Sequence, residues 1–268
     1  MFKISVIGLG VVGNAIYETF KDKNIDCYGY DKFKNGGIGN IEGCLDSDFI
    51  FLSLPTPYDN KLKDYDLAPL NDVLSNLSEK NFKGLVIIKS TINPGTTEKF
   101  SLKYNLNLVH NPEFLTARNA KKDFENQTQI VLGKSNKCSE DKFLNLVKFY
   151  KIYWSDSIIS ICKSGESETM KLGCNTFYAV KIQYLTELYL ICKKENINFD
   201  LVKNMMILNG GISKNYTNIP GHDGSISYGG MCFPKDTNAL NEYMKRKNTP
   251  NKVLNACIKE RNEMRDDH

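Results

Sequence analysis

The segment SYGGMCFPKDTNAL, residues 227–240, places a cysteine in a setting that favours nucleophilic chemistry. Gly229 and Gly230 precede Cys232 closely and would let a substrate approach the backbone. Pro234 is typical of the first turn of a helix, so the sulfur of Cys232 would lie near a helix N-terminus, where the helix dipole favours the thiolate. A packing residue and a metal ligand are the competing interpretations of this cysteine.

The remaining cysteines and the histidines bear on that choice. The chain has eight cysteines and three histidines, with no C-x-x-C pair and no histidine at ligand spacing from a cysteine, so we expect no metal site. Cys174 lies in the middle of a predicted helix without helpful glycines, which is typical of a structural thiol. The sequence therefore favours Cys232 for chemistry, with Lys235 and Asp236 within reach of it.

Lys171 and Asn175 form a second polar pair, spaced i, i+4 in a predicted helix and hence on one face of it. Most helical lysines are solvated. Here Met170, Leu172 and Phe177 flank the pair, and a helix so rich in apolar residues is not mainly exposed. We therefore expect the pair to belong to a site rather than to a solvated surface.

Polar residues also follow several of the predicted strands. Thr56 follows the apolar run FIFLSL, Thr91 follows LVIIK, and Glu113 lies in HNPEFLTARNA just past a short strand. In an open α/β sheet, ligands bind beyond the carboxyl ends of the strands. The segments around Thr56 and Thr91 are therefore predicted to lie beside a cofactor or substrate, and Glu113 is a candidate for the chemistry.

The motif GLGVVG is a G-x-G-x-x-G that directly follows a predicted strand and opens a predicted helix, which is typical of a dinucleotide-binding turn. Gly8 would allow the tight turn, Gly10 would let a pyrophosphate approach the backbone, and Gly13 would let helix and strand pack closely. The N–H groups at the helix start, with Val11 and Val12 in its first turn, would receive the phosphates.

Asp31 ends the second predicted strand at the spacing from Gly13 that such a turn requires. Its carboxylate would accept hydrogen bonds from the adenosine ribose hydroxyls and repel a 2′-phosphate, so NAD is the expected cofactor. Lys32 and Lys34 leave some room for NADP. A turn-forming aspartate at a strand end is the competing role.

The elements that must position these residues alternate in the first half of the chain. Short apolar runs separated by helical patterns predict a parallel sheet built from β-α-β units. The predicted strands are Lys3–Ile7, Asp26–Tyr30, Phe49–Leu54, Leu85–Lys89, Asn107–Val109 and Gln129–Leu132. The predicted helices are Val12–Lys21, Leu67–Glu79, Gly95–Tyr104 and Ser139–Phe149.

The second half changes character after residues 154–156. Residues 165–195 contain no proline and one internal glycine, and their apolar residues recur at helical spacing, which predicts one long helix. The apolar series is Met170, Leu172, Phe177, Val180, Tyr184, Leu188 and Ile191. Helices are also predicted at Asp200–Met206, Pro234–Arg246 and Pro250–Arg265, with a loop at 209–231. The sequence thus predicts an α/β domain over 1–155 and a helical domain over 156–268.

Composition argues against several classes of protein. The net charge is only +4, and no basic cluster is interleaved with aromatic residues, so nucleic acid is not an expected partner. No apolar run is long enough to span a bilayer, and the apolar part of the N-terminus is too short for a signal peptide. We expect a cytoplasmic protein with reduced thiols and no membrane partner.

These motifs together resemble the UDP-glucose/GDP-mannose dehydrogenase family. The matching segments run in order across essentially the whole chain, and NPEFL and GGMCFPKD are the most specific of them. They are GLGVVG, SLPTP, KSTINPGT, NPEFL, KLGCNTFYAVKI, IPGHDG and YGGMCFPKDTNAL. The resemblance implies a Rossmann-type NAD-binding domain with a parallel sheet, an all-α domain with a long central helix, and a homodimer.

The resemblance also implies a reaction, the oxidation of a UDP-sugar alcohol to a carboxylate with two NAD⁺, as from UDP-glucose to UDP-glucuronate. Cys232 would add to the intermediate aldehyde and form a thiohemiacetal and then a thioester, which is hydrolysed. Lys171 and Asn175 would stabilise the oxyanion that develops in these steps. These roles come from the family, not from spacing.

Further roles are implied in the same way. Glu113 and Asp236 would position or deprotonate water, Thr91 would assist by hydrogen bonds, and Lys235 would lie near the cofactor. The residues implied to contact the cofactor are Gly8, Gly10, Val11, Val12, Gly13, Asp31, Thr56, Thr91 and Lys235. The residues implied to contact the sugar nucleotide are Glu113, Phe114, Leu115, Lys171, Asn175, Tyr228 and Gly229.

The chain also departs from the family pattern. The family normally carries a third, C-terminal domain that grips the UDP group, and we expect this chain to lack it, so that a separate chain would supply a UDP-binding domain or the enzyme would be minimal. Ala117 stands where many relatives have a glutamate that contacts the cofactor. The segment NGGISKN lacks an arginine that in relatives reaches the substrate of the partner subunit.

Two other functions remain open. A two-electron β-hydroxyacid dehydrogenase shares a Rossmann domain, a helical domain and a helical lysine at about this size, although Cys232 in its motif argues against it. A non-catalytic NAD-binding remnant is the second. Against it stands the intact set of Glu113, Lys171, Asn175, Cys232 and Asp236, because a decaying gene would have lost some of these residues.

Overall fold

The structure is a computed structural model that describes residues 2–267. It contains two compact units. Unit 1 comprises Met1–Pro57 and Asp66–Lys171, and unit 2 comprises Tyr58–Tyr65 and Leu172–His268. The short segment at 58–65 therefore belongs to unit 2, although the sequence on both sides of it belongs to unit 1.

The elements follow one another in the order of their labels. The strands are β1 (Ile4–Ile7), β2 (Cys27–Tyr30), β3 (Phe49–Leu52), β4 (Tyr58–Asp59), β5 (Asp64–Tyr65), β6 (Leu85–Ile88), β7 (Asn107–His110), β8 (Gln129–Lys134) and β9 (Ile158–Lys163). The α-helices are α1 (Val11–Asp22), α2 (Ala68–Glu79), α3 (Thr96–Tyr104), α4 (Ala120–Glu125), α5 (Glu140–Tyr153), α6 (Ser164–Lys194), α7 (Phe199–Leu208), α8 (Phe233–Arg246) and α9 (Lys252–Met264).

Unit 1 is built on a sheet with the strand order β2-β1-β3-β6-β7-β8-β9. Neighbouring strands pair in parallel, except that β8 runs antiparallel to β7. The order reverses beside β1, and such a switch point opens a crevice at the carboxyl ends of the strands where ligands bind.

Both faces of this sheet are covered, because alternate strand residues enter different cores. Phe49 and Phe51 of β3 pack in one cluster with residues of α1 and α5. Ile50 and Leu52 pack in the other with residues of α2 and α3. A strand that is buried on both faces reads as a continuous apolar run, and for this reason FIFL was recognisable in the sequence.

Unit 2 consists of the later part of α6, the helices α7, α8 and α9, and the β4–β5 hairpin. One cluster joins α6 to α7 through Leu185, Cys192 and Phe199. A second joins α6 to α9 through Ala179, Tyr228 and Cys257. These clusters are small, so the single long helix acts as the common support of the unit.

The prediction of a Rossmann-type sheet followed by a helical region is confirmed. Four features were not predicted. The antiparallel pairing of β8 breaks the all-parallel pattern, α4 was not recognised because it has only six residues, and the β4–β5 hairpin adds strands to a unit that was expected to be all-α. The two-residue strands of the hairpin are too short to give a periodic signal.

The strand β9 was also missed. It leads directly into α6 without a glycine or proline between them, so no turn signal separates strand from helix. Its pairing with β8 places residues 158–163 in unit 1, whereas the predicted division near residue 155 precedes them.

The long helix is confirmed at Ser164–Lys194, but its apolar residues are not all buried. Leu172 is buried, whereas Phe177, Tyr184 and Ile191 are 65%, 54% and 57% exposed. These three residues recur every seven positions and therefore lie along one side of the helix. The apolar series therefore predicted the helix correctly, whereas Phe177, one of the three residues on which the expectation of burial rested, is exposed.

Candidate active site

The glycine-rich turn between β1 and α1 has the geometry that binding of a dinucleotide requires. Gly8 has φ +87°, and a Cβ on Gly13 would meet the carbonyl oxygen of Gly8 at 1.7 Å, so both positions need glycine. A Cβ on Gly10 would meet no described atom within 4 Å, which leaves open space at the helix start.

The N-terminus of α1 is suited to an anion. It begins at Val11, and neither a capping side chain nor an acidic residue in the first turn competes for its N–H groups. Val11 is exposed and Val12 is half-buried. Backbone N–H groups and the helix dipole at such a start favour a phosphate.

Asp31 lies beside this turn and is held by the backbone. One carboxylate oxygen accepts from the N–H of Leu9 at 2.7 Å, and the other accepts from the N–H groups of Phe33 and Lys34 at 3.0 and 2.9 Å. Partial burial opposes its ionisation, but these amide donors lower the pKa of Asp31 on balance. A carboxylate oxygen accepts more than one hydrogen bond, so the contacts still leave room for ribose hydroxyls.

A lysine that the sequence linked only to NADP also lies at the turn. The ammonium of Lys34 donates to the carbonyl oxygen of Leu9 at 2.7 Å and to Oδ1 of Asn14 at 3.2 Å. An uncapped helix start, open space at Gly10 and an ionised Asp31 together fit an NAD molecule.

The segments at the ends of β3 and β6 contact each other. The hydroxyl of Thr56 donates to the carbonyl oxygen of Thr91 at 2.8 Å, and that of Ser90 donates to the carbonyl oxygen of Leu54 at 2.6 Å. Because β3 and β6 are parallel neighbours, Thr56 and Thr91 lie at the carboxyl edge of the sheet, as predicted. Which ligand they contact stays a prediction.

Glu113 and Lys171 form a buried pair in unit 1. The ammonium of Lys171 donates to the main-chain carbonyl oxygen of Glu113 at 2.5 Å and lies 3.4 Å from its carboxylate Oε1. The other carboxylate oxygen accepts from the N–H of Leu115 at 2.6 Å. The ammonium also lies 5.0 Å from the centre of the ring of Phe114, a residue that is 42% exposed.

Lys171 is buried, as its apolar neighbours in the sequence indicated. The main-chain carbonyl oxygen of Glu113 fixes the ammonium of Lys171, so the ammonium does not depend on a flexible carboxylate alone. A charged donor that is fixed in this way can stabilise developing negative charge without reorganising.

Another buried lysine in unit 1 was not singled out from the sequence. Lys89, at the end of β6, donates to Oδ1 of Asn111 at 2.9 Å, and the same oxygen accepts from the hydroxyl of Tyr150 at 2.5 Å. Three effects together lower the pKa of Lys89 to about 7. Burial is the largest, the charge of Glu113 opposes it, and the charge of Lys171 adds to it. The only signal in the sequence was a lysine that closes an otherwise apolar strand.

Asp236 is the centre of a polar cluster in unit 2. Its carboxylate is fully buried, yet it receives three side-chain hydrogen bonds. Oδ1 accepts from the hydroxyl of Tyr65 at 2.5 Å and from the ammonium of Lys235 at 2.6 Å, and Oδ2 accepts from Nδ2 of Asn175 at 2.6 Å. Three donors on one carboxylate satisfy a charge that could not otherwise remain buried.

The structure thus brings together Asn175, Lys235 and Asp236, three residues that the sequence singled out. It adds Tyr65, which was not predicted. Lys235 binds the neighbouring aspartate, and its expected position near the cofactor stays a prediction.

Cys232 stands at the N-cap position of α8, and Pro234 lies in the first turn of that helix, as the sequence predicted. The main-chain oxygen of Cys232 accepts from the N–H of Asp236 at 3.0 Å, which ties the cysteine to the start of the helix. The helix dipole at this end favours a negative charge on sulfur.

Exposure separates Cys232 from the other cysteines. All eight lie within residues 2–267, none of them forms a disulfide, and Cys232 is the exposed one, whereas Cys174 is half-buried. Burial raises the pKa of Cys27 to about 12 and those of Cys44, Cys138 and Cys257 to about 11. These four thiols are therefore held in the unreactive protonated form at neutral pH.

The segment that leads to Cys232 is held by two arginines of the α9 end of the chain. Arg261 donates to the carbonyl oxygen of Tyr228 at 3.1 Å, and Arg265 donates to Asp223 at 2.6 Å. A Cβ on Gly229 would lie 2.4 Å from the guanidinium of Arg265, so a larger residue there would displace this arginine side chain. The side chain of Tyr228 is buried, and the substrate contacts expected of Tyr228 and Gly229 stay predictions.

Across residues 2–267, none of the helices combines the length and the apolar character that crossing a bilayer requires. The same residues contain no group of three or more His, Cys, Asp or Glu side chains placed to hold a metal ion.

A Rossmann-type sheet with this glycine turn defines a dinucleotide-binding protein of the dehydrogenase type. The chain belongs to the UDP-glucose/GDP-mannose dehydrogenase family. Residues 39–153 match the model of the family's NAD-binding domain, and residues 165–263 match the model of its central domain. The cofactor of the matched first domain is NAD.

Curated relatives agree with this family. The chain is 34% identical over 256 residues to a UDP-glucose 6-dehydrogenase of Campylobacter jejuni, covering 91% of this chain and 61% of the relative. It is 31% identical over 252 residues to a UDP-glucose 6-dehydrogenase of Rickettsia conorii, covering 91% and 56%. The chain therefore spans about 60% of the length of the relatives it matches.

Solved structures share the fold. A UDP-glucose dehydrogenase of Pyrobaculum islandicum superposes with a TM-score of 0.85 at 24% identity, covering 98% of this chain and 68% of that one. A 3-hydroxyisobutyrate dehydrogenase of Mycobacterium tuberculosis gives a TM-score of 0.73 at 13% identity, covering 98% and 93%.

Proposed function

We propose that the protein catalyses the NAD-dependent, four-electron oxidation of a UDP-sugar, UDP-glucose to UDP-glucuronate, through a covalent intermediate on Cys232. The observation that carries the proposal is the exposed Cys232 at the start of a helix whose first turn holds the buried carboxylate of Asp236. Membership of the family and the names of the relatives from Campylobacter and Rickettsia support it.

The residues that would hold the cofactor lie at the turn between β1 and α1. The backbone from Gly8 to Gly13 would bind the pyrophosphate, and Asp31 would bind the adenosine ribose. Bound NAD⁺ supplies the acceptor of a hydride, once for each two-electron oxidation. Thr56 and Thr91, at the carboxyl edge of the same sheet, are proposed as further contacts, and so is Lys235.

Cys232 would carry the covalent chemistry. Its thiolate adds to the carbonyl carbon of the aldehyde that the first oxidation produces, and the new C–S bond gives a thiohemiacetal. Loss of a hydride from carbon, which NAD⁺ would accept, and of the hydroxyl proton would convert this adduct into a thioester. Water then attacks the same carbon, the C–S bond breaks, and the products are the carboxylate and the restored thiol.

Other polar side chains would stabilise the charges that develop in these steps or act on water. Lys171 and Asn175 would donate hydrogen bonds to the oxyanion, and both are buried and already fixed by carboxylate or carbonyl partners. Glu113 and Asp236 would orient or deprotonate water, with Thr91 assisting. Phe114, Leu115, Tyr228 and Gly229 are proposed to shape the sugar-nucleotide site.

The test is turnover of purified protein with NAD⁺ and UDP-glucose, followed by other sugar nucleotides. We expect two NADH per sugar oxidised, and Cys232→Ser should stall after at most one, because a serine at this position cannot form the thioester. Cys174→Ser is the matched control and should leave the stoichiometry at two. Absence of turnover with every sugar nucleotide, or full activity of Cys232→Ser, would falsify the proposal.

A two-electron hydroxyacid dehydrogenase is the second candidate. The observation that favours it is the superposition on a 3-hydroxyisobutyrate dehydrogenase with a TM-score of 0.73, which shows that the fold is shared with that class of enzyme. This function predicts one NADH per 3-hydroxyisobutyrate and no dependence on Cys232. Binding of NAD⁺ without turnover on either substrate would instead indicate a non-catalytic remnant.

We also propose that the protein forms a homodimer. If the protein alone lacks affinity for UDP, we propose in addition that a different chain supplies a UDP-binding domain. The exposed side of α6 formed by Phe177, Tyr184 and Ile191 supports an association of subunits, because apolar residues in a continuous row favour burial. Light scattering on a gel-filtration column would measure the mass. The cytoplasmic location stays a prediction.

A further inference from the structure

The β4–β5 hairpin supplies a side chain to unit 2 from far away in the sequence. Tyr58 pairs with Tyr65 and Asp59 with Asp64 in antiparallel register. Asp59 closes the turn, because its carboxylate accepts from the N–H groups of Lys61 and Leu62 at 2.7 and 2.9 Å. The hairpin is therefore a formed element and not a loose loop.

Two contacts fasten this hairpin to α8. At one end of the helix, Arg246 donates to Asp64 and to the carbonyl oxygen of Lys63, each at 2.8 Å. At the other end, the hydroxyl of Tyr65 donates to Asp236 at 2.5 Å. The helical rise puts the two helix residues about 15 Å apart along the axis, so the hairpin is fixed in direction as well as in position.

The hydroxyl of Tyr65 is a fixed proton donor. Its side chain is 3% exposed, and its ring lies 4.8 Å from the ammonium of Lys235. Burial, followed by the negative charge of Asp236, raises the pKa of Tyr65 well above its ordinary value. The phenol therefore keeps its proton at every pH at which the protein would work, and its O–H group donates a hydrogen bond to the carboxylate.

We infer that Tyr65 is a positioning residue that fixes the direction of the Asp236 carboxylate. The hydroxyl shares Oδ1 with Lys235, which leaves Oδ2 for Asn175. A carboxylate with both oxygens engaged does not rotate, so the amide of Asn175 is held in one orientation by the same network.

The catalytic meaning of this inference rests on the proposed function. There Asp236 acts on water and Asn175 on an oxyanion, and both roles need a fixed geometry. Loss of the Tyr65 hydroxyl would leave the carboxylate of Asp236 with one hydrogen-bond donor fewer and free to turn. The charged or titratable groups that face this contact are Asp64, Lys235 and Cys232.

The first test compares two identical changes on one hairpin. Tyr65→Phe removes the hydroxyl and keeps the ring, and Tyr58→Phe makes the same change directly across the hairpin. We expect Tyr65→Phe to lower kcat for oxidation of UDP-glucose about tenfold with little change in KM, because a hydrogen bond to a charged group is lost. Tyr58→Phe should match the wild type.

The second test does not require turnover. Alkylation of Cys232 by iodoacetamide, followed by peptide mass spectrometry across pH, reports the charge near the start of α8. In Tyr65→Phe the carboxylate of Asp236 is less neutralised, so the alkylation midpoint of Cys232 should move to higher pH. If the wild type oxidises no sugar nucleotide, the proposed function fails and this measurement alone decides the inference.

A third variant separates the hydroxyl from the docking of the hairpin. Arg246→Ala removes the distant contact, so we expect a lower melting temperature and an unchanged alkylation midpoint. The inference is overturned if Tyr65→Phe and Tyr58→Phe give the same alkylation profile. It is equally overturned if Arg246→Ala shifts the midpoint as far as Tyr65→Phe does.

Discussion

Unit 1 and unit 2 each contain a buried charge, and the two charges are held in different ways. In unit 1 the ammonium of Lys171 lies closer to a main-chain oxygen of Glu113, at 2.5 Å, than to its carboxylate, at 3.4 Å. In unit 2 the carboxylate of Asp236 is held by side chains from β5, α6 and α8. The cation therefore depends on the backbone, and the anion depends on the identity of three other residues.

This difference has a consequence for mutation. A side chain that is anchored to a main-chain carbonyl keeps its place when neighbouring side chains change, because the carbonyl remains. A carboxylate that is anchored by side chains loses a partner with each substitution.

Loss of the cation itself should have the largest effect. Lys171→Met keeps the stem of the side chain and removes the charge, and we expect kcat to fall by about 10²–10³-fold, the usual cost of losing one donor to an oxyanion. Lys163→Met, at an exposed lysine of β9, is the control and should not change the rate. A fall of less than a few-fold in steady-state NADH production would remove Lys171 from the chemistry.

Neutralising the anion should have the next largest effect. We expect Asp236→Asn to lower kcat about 10²-fold, because a general base is lost and an amide would face the ammonium of Lys235. Asp200→Asn makes the same change in the first turn of α7, where the carboxylate is exposed, and serves as control. Equal rates for the two variants in a stopped-flow assay would contradict the role of Asp236.

Lys89 tests unit 1 through stability instead of rate. Its pKa is about 7 in the folded protein and 10.5 when unperturbed, so the unfolded chain binds more protons between these values. The free energy of unfolding should therefore rise with pH in this window, by at most about 1.4 kcal/mol per pH unit, relative to Lys89→Met.

Urea unfolding of both proteins at several pH values from 7 to 9 would measure this difference. Subtracting the variant removes the contribution of the other titrating groups that the two proteins share. Parallel stability curves for the wild type and Lys89→Met would show that Lys89 is not a buried, neutralised lysine.

The smallest effect is expected for Glu113→Gln. The main-chain oxygen of Glu113 remains, so Lys171 keeps its shorter contact, and the glutamine amide can still orient water while Asp236 remains as the base. We therefore expect a loss in kcat/KM of about fivefold or less from the weaker electrostatic partner. Glu125→Gln, in α4, is the control. A loss as large as that of Lys171→Met would mean that the carboxylate, and not the backbone, holds the cation.

The sequence predicted the parts of the site that depend on local order. The glycine turn was recognisable because a strand, three glycines and a helix follow one another, and the N-cap position of Cys232 followed from Pro234. The burial of Lys171 followed from its apolar neighbours. Each of these features is determined by residues that lie within a few positions of one another, so a local pattern in the sequence predicts it.

The remaining features depend on distant partners. The contact between Tyr65 and Asp236 joins residues 171 positions apart, and no period or spacing predicts such a pair. The exposure of Phe177 could not be read from helical spacing, because spacing gives the face of a helix but not whether that face is covered. The burial of Lys89 depends on α4 and α5, which pack above its strand.

The position of the β4–β5 hairpin also has a consequence for synthesis of the chain. Residues 58–65 leave the ribosome 171 positions before the helix that binds them, a delay of roughly 10–30 s at ordinary rates of translation. During this interval Tyr65 has no carboxylate to bind, while the strands on both sides of the hairpin are already available for pairing. Completion of unit 2 therefore requires the capture of an early segment by a late helix.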